Sequence, residues 1–491
     1  MNRMPSDGLI PYIPFDRNSS VPFYIQIYDG YRAAIVAGRL APGQRLPSTR
    51  TLADQLQISR FPVLSAFEQL LHDGYLEGKV GSGTFVRDRI PDELSRPITV
   101  RKPTSHSNLR PAPLASFKAG ALPHEGLGPF RVSLPALDRF PHETFSRLLR
   151  HHAGTLPDEL LAYSDPAGYF PLREAIAEYL RTARAVDCDP SQVLIVTGSQ
   201  MGLLISALAL STPDSSVCIE EPGYSGTKQA LEIANANVIR ISVDDHGIDV
   251  AAIKRLATPV RMVYVTPSHQ YPLGVSLEMT RRLELLNWAA HNDAWIVEDD
   301  YDSEYRFSSR PLGALQGMDA HGRVIYIGTF SKVLFPALRV GYVVVPHELV
   351  ARFARIRESL DIFSPLLYQL VLTDFLREGH FARHLIRMRS VYLARRNALI
   401  TAIRDHAADL LTLGNTDAGL CLVVYLPDGI DDRDVVRRAA RQGLYPQPLS
   451  PCYSGGDVRN GLILGFGGSD EYALTSAVRE LADVIRLKSA A

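Results

Sequence analysis

Apolar positions recur at helical spacing between residues 23 and 37, where Ile25, Ile27, Tyr28, Tyr31 and Ala34 fall on one side. Ala41-Pro42-Gly43 reads as a turn, and Ser48 stands where an N-cap belongs, ahead of a helix over 49–56 with Leu52, Ala53 and Leu56 on its inner face. Gln57-Ile58-Ser59 makes a tight connection to a second helix over 60–73, whose apolar residues are Val63, Ala66, Phe67, Leu70 and Leu71. Two short strands about a glycine-rich tip follow over 74–86, and the glycines there permit tight turns.

The pattern then lapses. Between 87 and 129 the chain has Pro91, Pro97, Pro103, Pro111, Pro113, Pro123 and Pro129 and little periodicity, so it reads as an extended, solvated tether. From about 131 onward apolar runs at 193–196, 216–220, 238–241, 261–265, 294–298, 324–328 and 340–345 alternate with helical stretches. That alternation predicts a three-layer α/β domain with a largely parallel sheet. From 366 to 491 a long arginine-rich helical stretch precedes short strands near 420–426 and 461–465, which suggests a smaller α+β subdomain. The arginines of 383–396 read as a solvated helical face.

Composition narrows this picture. With 46% hydrophobic residues in 491, a large folded core is expected. A formal net charge of −1 gives no global attraction to nucleic acid or anionic lipid, so any DNA contact must be local. Cys188, Cys218, Cys421 and Cys452 are too scattered for a zinc cluster or a disulfide framework, which fits a reducing cytoplasm. Residues 1–20 lack the basic and apolar regions of a secretory signal, and runs such as 201–210 are too short to span a bilayer, so a cytoplasmic protein with no membrane partner is expected.

Helix, short turn and helix is the geometry that lays a recognition helix in a major groove of double-stranded DNA. Residues 21–86 hold six Lys/Arg against five Asp/Glu, so position matters more than bulk charge: Arg45, Arg50 and Arg60 bracket the two helices. The string Gly38-Arg39-Leu40, Pro42-Gly43, Arg45-Leu46-Pro47-Ser48-Thr49-Arg50, Leu52-Ala53, then Ser59-Arg60 and Gly81-Ser82-Gly83-Thr84-Phe85-Val86 resembles the GntR family of winged-helix regulators. The resemblance implies operator contacts from Arg45, Arg50, Arg60 and the Gly83 wing; the candidate DNA-facing set is Arg45, Ser48, Arg50, Ser59, Arg60, Gly81, Gly83 and Thr84. Where the family usually has Ser-Arg-x-Thr-Val, this chain has Ser59-Arg60-Phe61-Pro62-Val63; the fold tolerates proline in a first helical turn, but the threonine hydroxyl is lost.

The second half carries a denser chemical signal. The acidic pair Asp299-Asp300 ends an apolar strand, and Gly328-Thr329-Phe330-Ser331-Lys332 follows another, so both reach the carboxyl edge of the sheet. A lysine there can form a Schiff base with an aldehyde, and an aspartate can keep a pyridinium nitrogen protonated, which together are the polar handles pyridoxal phosphate needs. Thr197-Gly198-Ser199-Gln200 opens a helix and suits a phosphate, with Arg339 and Thr329 able to add contacts. Together with Asp165-Pro166-x-Gly168-Tyr169, Glu221-Pro222-Gly223-Tyr224 and Thr266-Pro267-Ser268-His269-Gln270, these strings resemble fold-type-I aminotransferases, and more closely the aminotransferase-like domains of MocR-type regulators. The resemblance implies Lys332 as the Schiff-base lysine, Asp299 on the pyridine nitrogen, Tyr301 on the ring oxygen, Tyr224 stacked on the ring, and Ser199, Gln200, Thr329 and Arg339 on the phosphate. It also implies a homodimer, which in MocR-type regulators can be head-to-tail. His269 and Gln270 either face the cofactor or brace a loop.

Two positions depart from the aminotransferase pattern. Tyr271-Pro272-Leu273-Gly274 stands where Asn-Pro-x-Gly is common, and Ile463 falls where a late arginine usually binds the substrate carboxylate, with Arg459 the nearest alternative. The expectation is therefore a multidomain regulator: a winged helix-turn-helix at 21–89, a linker at 90–129, and a fold-type-I aminotransferase-like α/β domain at 130–491 with a small C-terminal α+β subdomain. Its effector is a small molecule, either pyridoxal phosphate itself or an amine or amino acid. A working transaminase with an accessory DNA-binding domain is the alternative.

Overall fold

The computed structural model describes residues 15–17, 19–79, 82–90, 126–212, 215–307, 313–455 and 458–489. It divides into two units, Met1–Pro111 and Ala112–Ala491. The tether expected over 90–129 falls mostly outside the described residues.

In the first unit, α1 (Phe23–Val36), α2 (Thr49–Leu56) and α3 (Arg60–His72) precede β1 (Leu76–Lys79) and β2 (Gly83–Val86). Ser48 caps α2 by accepting from the Thr51 amide at 3.1 Å, and Gln57, in the left-handed region at φ 50°, ends it and turns the chain toward α3. Ile27, Tyr31, Leu52, Ala53, Val63, Ala66, Phe67 and Leu70 meet in one core, where the rings of Tyr31 and Phe67 pack edge to face at 5.3 Å. β1 and β2 pair antiparallel, and β2 is held on its other side by Leu46 N–H to Thr84 O and by Val86 N–H to Gln44 O, both 2.9 Å. The wing is thus fixed to the segment that leads into α2.

The second unit is built on an eight-stranded sheet of order β3-β10-β9-β8-β7-β4-β5-β6. The strands are β3 (Val193–Val196), β4 (Ser216–Glu221), β5 (Asn237–Asp244), β6 (Gly247–Ile248), β7 (Val260–Val265), β8 (Trp295–Asp300), β9 (Val324–Thr329) and β10 (Gly341–Val344). β5, β4, β7, β8 and β9 run parallel, and β10 is antiparallel to both its neighbours. Alternate residues serve opposite faces: Met262, Val297 and Ile327 join one apolar cluster, while Val263, Ile296 and Val324 join another. Both faces are covered, which explains the unbroken apolar runs in the sequence.

The C-terminal subdomain holds a four-stranded antiparallel sheet of order β11-β12-β14-β13, with β11 (Thr412–Leu413), β12 (Cys421–Tyr425), β13 (Gln447–Pro448) and β14 (Gly461–Gly465). A segment far upstream belongs to it: Phe130, fully buried, bridges Gly465. The expected solvated face holds for the exposed arginines Arg383, Arg387 and Arg389 and fails for Arg395, which is buried, and for the half-buried Arg396. They lie on the helix His380–His406, where Arg395 is buried and bonded to Gly467 O and Asp138, Arg387 donates to Arg139 O, and Arg389 to Glu304 O. They tie this helix to the segments crossing it. Among the described residues no helix is long and apolar enough to cross a membrane, and no His/Cys/Asp/Glu cluster could hold a metal.

Candidate DNA-reading face and cofactor cleft

In the first unit, Ser48, Arg50, Ser59 and Arg60 are exposed around the α2–α3 junction. Arg60 Nε donates to Thr49 Oγ1 at 3.0 Å, so the two helices share one polar seam. The Ser48 hydroxyl is engaged in its cap and lies 2.7 Å from Thr51 Oγ1. Arg45 bridges Phe85 of β2, and its guanidinium borders Gly83, where an added Cβ would come within 3.1 Å of Nε. Gly83 has φ +113°, a conformation few side chains tolerate. Thr84 pairs with Gly78 on β1. Gly81 lies outside the described residues. Arg45, Gly83 and Thr84 therefore gather at the wing, and Ser48, Arg50, Ser59 and Arg60 at the helix junction.

In the second unit, the carboxyl ends of the parallel strands bring the other candidates together. β3 runs into Thr197-Gly198-Ser199, β8 ends on Asp299-Asp300, and β9 ends on Thr329 just before Lys332. Register aligns them, since Gly341 at the head of β10 pairs with both Val196 and Thr329. Arg339, two residues earlier, donates to Thr197 O at 2.7 Å and adopts φ 51°. A Cβ at Gly198 would lie 2.9 Å from Arg339 Nη2, so only glycine lets the guanidinium lie against the start of the helix Ser199–Leu210. An uncapped helix start beside an arginine is an anion cradle. Gln200 donates to Gly226 O at 2.8 Å and leaves its buried Oε1 without a partner. Thr329 Oγ1 accepts from Ser331 N–H at 3.2 Å.

Of the three acidic residues of β8, Asp300 and Asp299 have different environments. Asp300 is buried against Arg184 at 2.7 Å and accepts from Tyr326 Oη at 2.7 Å. Burial alone would raise its carboxyl, and the Arg184 guanidinium overcomes that and holds it below the usual range. Asp299 accepts from Tyr264 Oη at 2.9 Å through Oδ2, while its buried Oδ1 has no partner. Burial pushes the Asp299 carboxyl up to about 7 against the pull of the Tyr264 hydrogen bond. An unpaired buried carboxylate oxygen is costly unless a donor completes it. Lys332 keeps some solvent contact, yet protein surrounds it closely enough that burial lowers its pKa to about 8, against the attraction of the Asp302 and Asp299 carboxylates.

Tyr301 Oη lies 3.0 Å from His269 Nδ1, which is itself 2.9 Å from Asp302 Oδ1; Asp302 also accepts from Leu420 N–H at 3.2 Å. Gln270 is turned into the loop, donating to Pro222 O at 2.8 Å and Tyr271 O at 2.7 Å. Tyr224 is 38% exposed, edge-on to Tyr271 at 5.8 Å, so it is a wall of the cleft rather than core. Ile463 is fully buried beside Val423 and Leu449, and the Arg459 guanidinium sits over the Tyr425 ring at 3.7 Å. Sequence reasoning missed Tyr264, Arg184, Tyr326 and Asp302 as supports of this site. Tyr264, a polar-tipped aromatic one residue from the end of a buried strand, carried a readable signal; Arg184, over a hundred residues from its partner, carried none.

The two units thus define a winged-helix DNA reader joined in one chain to an aminotransferase-type cofactor domain. Residues 23–86 match the family described as bacterial regulatory proteins, gntR family, and residues 142–461 match aminotransferase class I and II. The chain is 39% identical over 470 residues to the probable rhizopine catabolism regulatory protein MocR of Rhizobium meliloti, covering 95% of this chain and 94% of that protein. It is 31% identical to the HTH-type pyridoxine biosynthesis transcriptional regulator PdxR of Corynebacterium glutamicum, covering 97% and 99%. Among solved structures, kynurenine aminotransferase of Pyrococcus horikoshii, in complex with PMP, aligns with a TM-score of 0.67 and 30% identity over 72% of this chain and 90% of that one. The chain belongs to the MocR-type branch of the gntR family, in which a helix-turn-helix domain is fused to a class I and II aminotransferase domain.

Proposed function

We propose that this protein is a cytoplasmic transcription regulator. It reads double-stranded operator DNA through a winged helix at 21–89 and senses a small molecule in a pyridoxal-phosphate cleft at 130–491, with 90–129 as linker. The observation that carries this reading is the union in one chain of a DNA-reading helix pair and a cleft containing both Lys332 and Asp299. Arg45, Arg50, Arg60 and the wing at Gly83 and Thr84 contact the duplex, with Ser48 and Ser59 beside them.

The cleft residues fit pyridoxal phosphate. Asp299 Oδ1 has no partner until a ring N–H supplies one, and Gly198 leaves room for a phosphate between the helix start and Arg339. Ser199, Gln200 and Thr329 surround that cradle, Tyr224 walls the ring, and Tyr301, oriented by His269, faces the ring oxygen. When bound, the cofactor supplies an aldehyde that combines reversibly with primary amines. Lys332 presents an amine of lowered pKa to it, and Asp299 holds a proton on the ring nitrogen. The effector is pyridoxal phosphate itself, or an amine or amino acid that displaces Lys332. A homodimer, which in MocR-type regulators can be head-to-tail, carries the change through the linker to the DNA-reading units. The effector alters DNA affinity only through its preference for one conformation.

The burial of Ile463 where transaminases use an arginine, and the stacking of Arg459 on Tyr425, favour sensing over turnover of amino acids. The test is Lys332→Ala. We expect loss of the visible absorption band of the lysine-bound cofactor and a blunted effector response in DNA binding. Undiminished regulation by the variant would sink the reading, and steady multiple turnover between an amino donor and a keto acid would favour an enzyme instead.

A further inference from the structure

The first turns of α3 carry apolar surface that the DNA-reading assignment leaves unexplained. Phe61 is 75% exposed and Leu64 38% exposed, while Val63, Ala66, Phe67 and Leu70 of the same helix fill the core. Residues three apart lie one above the other on a helix, so Phe61 and Leu64 share an outward face. Isolated exposed apolar residues need no explanation, but this pair stands in the turns of a recognition helix that enter a groove. Exposed Ser59 and Arg60 precede it, Arg60 ties it to α2 through Thr49, and exposed Arg50 lies on α2 itself. A protein partner would find this apolar pair beside the exposed positive charge of Arg50 and Arg60. A polyanion finds its phosphates matched by the arginines, and the apolar pair is then directed at the bases.

The side chains at 61, 62 and 64 are Phe, Pro and Leu, and none can donate or accept a hydrogen bond. The major groove offers one apolar mark, the 5-methyl group of thymine. We infer that Phe61 and Leu64 read thymine methyl groups and set the base preference of each operator half-site. The inference rests on the DNA-binding function proposed above, and it reinterprets the departure Phe61-Pro62: the lost threonine hydroxyl is replaced by apolar readout.

The test selects duplexes from a random library with the full-length protein and then replaces each thymine of the selected site singly by deoxyuridine, which removes only the methyl. At one or two positions per half-site the wild type should lose about three- to tenfold in affinity, the value of burying one methyl-sized group. Phe61→Ala, Leu64→Ala and the double variant, all at exposed positions, should keep the wild-type melting temperature; each single variant should lose discrimination at the thymine the removed side chain reads, and the double variant should bind the thymine and uracil duplexes alike. Equal wild-type binding to every uracil duplex would overturn the inference, as would a methyl preference that survives the double variant Phe61→Ala, Leu64→Ala. A double variant that changes its sedimentation as free protein while retaining the methyl preference would assign the pair to contact between copies instead. Failure of the wild type to select any duplex would sink the DNA-binding function itself, a result distinct from selection without methyl dependence.

Discussion

At pH 7 a lysine with a pKa of about 8 is roughly one-tenth neutral, about two orders of magnitude more than an unperturbed lysine. Lys332 gains this because burial disfavours its ammonium more than Asp299 and Asp302 favour it. Only the neutral amine attacks an aldehyde. Uptake of pyridoxal phosphate, followed by its visible band, should therefore quicken roughly fivefold from pH 7 to pH 8 and level off above about pH 9, because the neutral fraction rises through the pKa. A rate still climbing nearly tenfold per unit at pH 9 would mean that Lys332 is unperturbed. Asp299 follows the same logic with opposite charge: its unpaired Oδ1 and raised carboxyl describe a site completed by a donor. Gly198 belongs to this scale as well. Gly198→Ala puts a methyl 2.9 Å from Arg339 Nη2 at φ +92°, and should weaken pyridoxal phosphate binding tenfold or more while leaving binding of phosphate-free pyridoxal nearly unchanged. Equal losses for both ligands would remove the phosphate cradle from the account.

Elements were legible in proportion to how local their causes are. The helix at 49–56 follows from Ser48 as cap and Leu52-Ala53 as inner face, and the central strands follow from apolar runs that a two-sided sheet requires. The two-residue strands β11 and β13 were not legible, because so short a run carries no period. Phe130 was read as the start of the aminotransferase-like domain, but nothing local placed it in the C-terminal sheet, because its bridge partner Gly465 lies over three hundred residues away. Among the arginines of 383–396, Arg395 was misread because helical periodicity reports which side chains share a face, not which carbonyls the rest of the fold brings to it; it meets Gly467 O only in the folded chain. The same holds in the cleft: the strings containing Lys332 and Asp299 were readable, and Arg184 behind Asp300 was not. Ser48 offers an element-scale test. Ser48→Ala removes the cap from α2 and should lower the stability of the helix-wing unit by about 1 kcal/mol, read as a shifted denaturant midpoint of its transition. An unshifted midpoint would mean that the Thr51 amide is satisfied without it.

On the scale of the whole molecule, two units with separate cores serve one function only if ligand binding in one changes affinity in the other. Coupling of this kind is commonly five- to 150-fold and must be reciprocal: an amine that weakens DNA binding is itself bound more weakly on DNA. The direct measurement is a titration of the full-length protein with a duplex of the region upstream of its own gene. It is run without cofactor, with pyridoxal phosphate, and with pyridoxal phosphate plus a panel of primary amines and amino acids, for wild type and Lys332→Ala. At least one addition should move the wild-type affinity several-fold or more, and Lys332→Ala should abolish or blunt that shift. Identical DNA-binding curves for the wild type under every condition, from a protein that takes up pyridoxal phosphate, would contradict coupling between the two units.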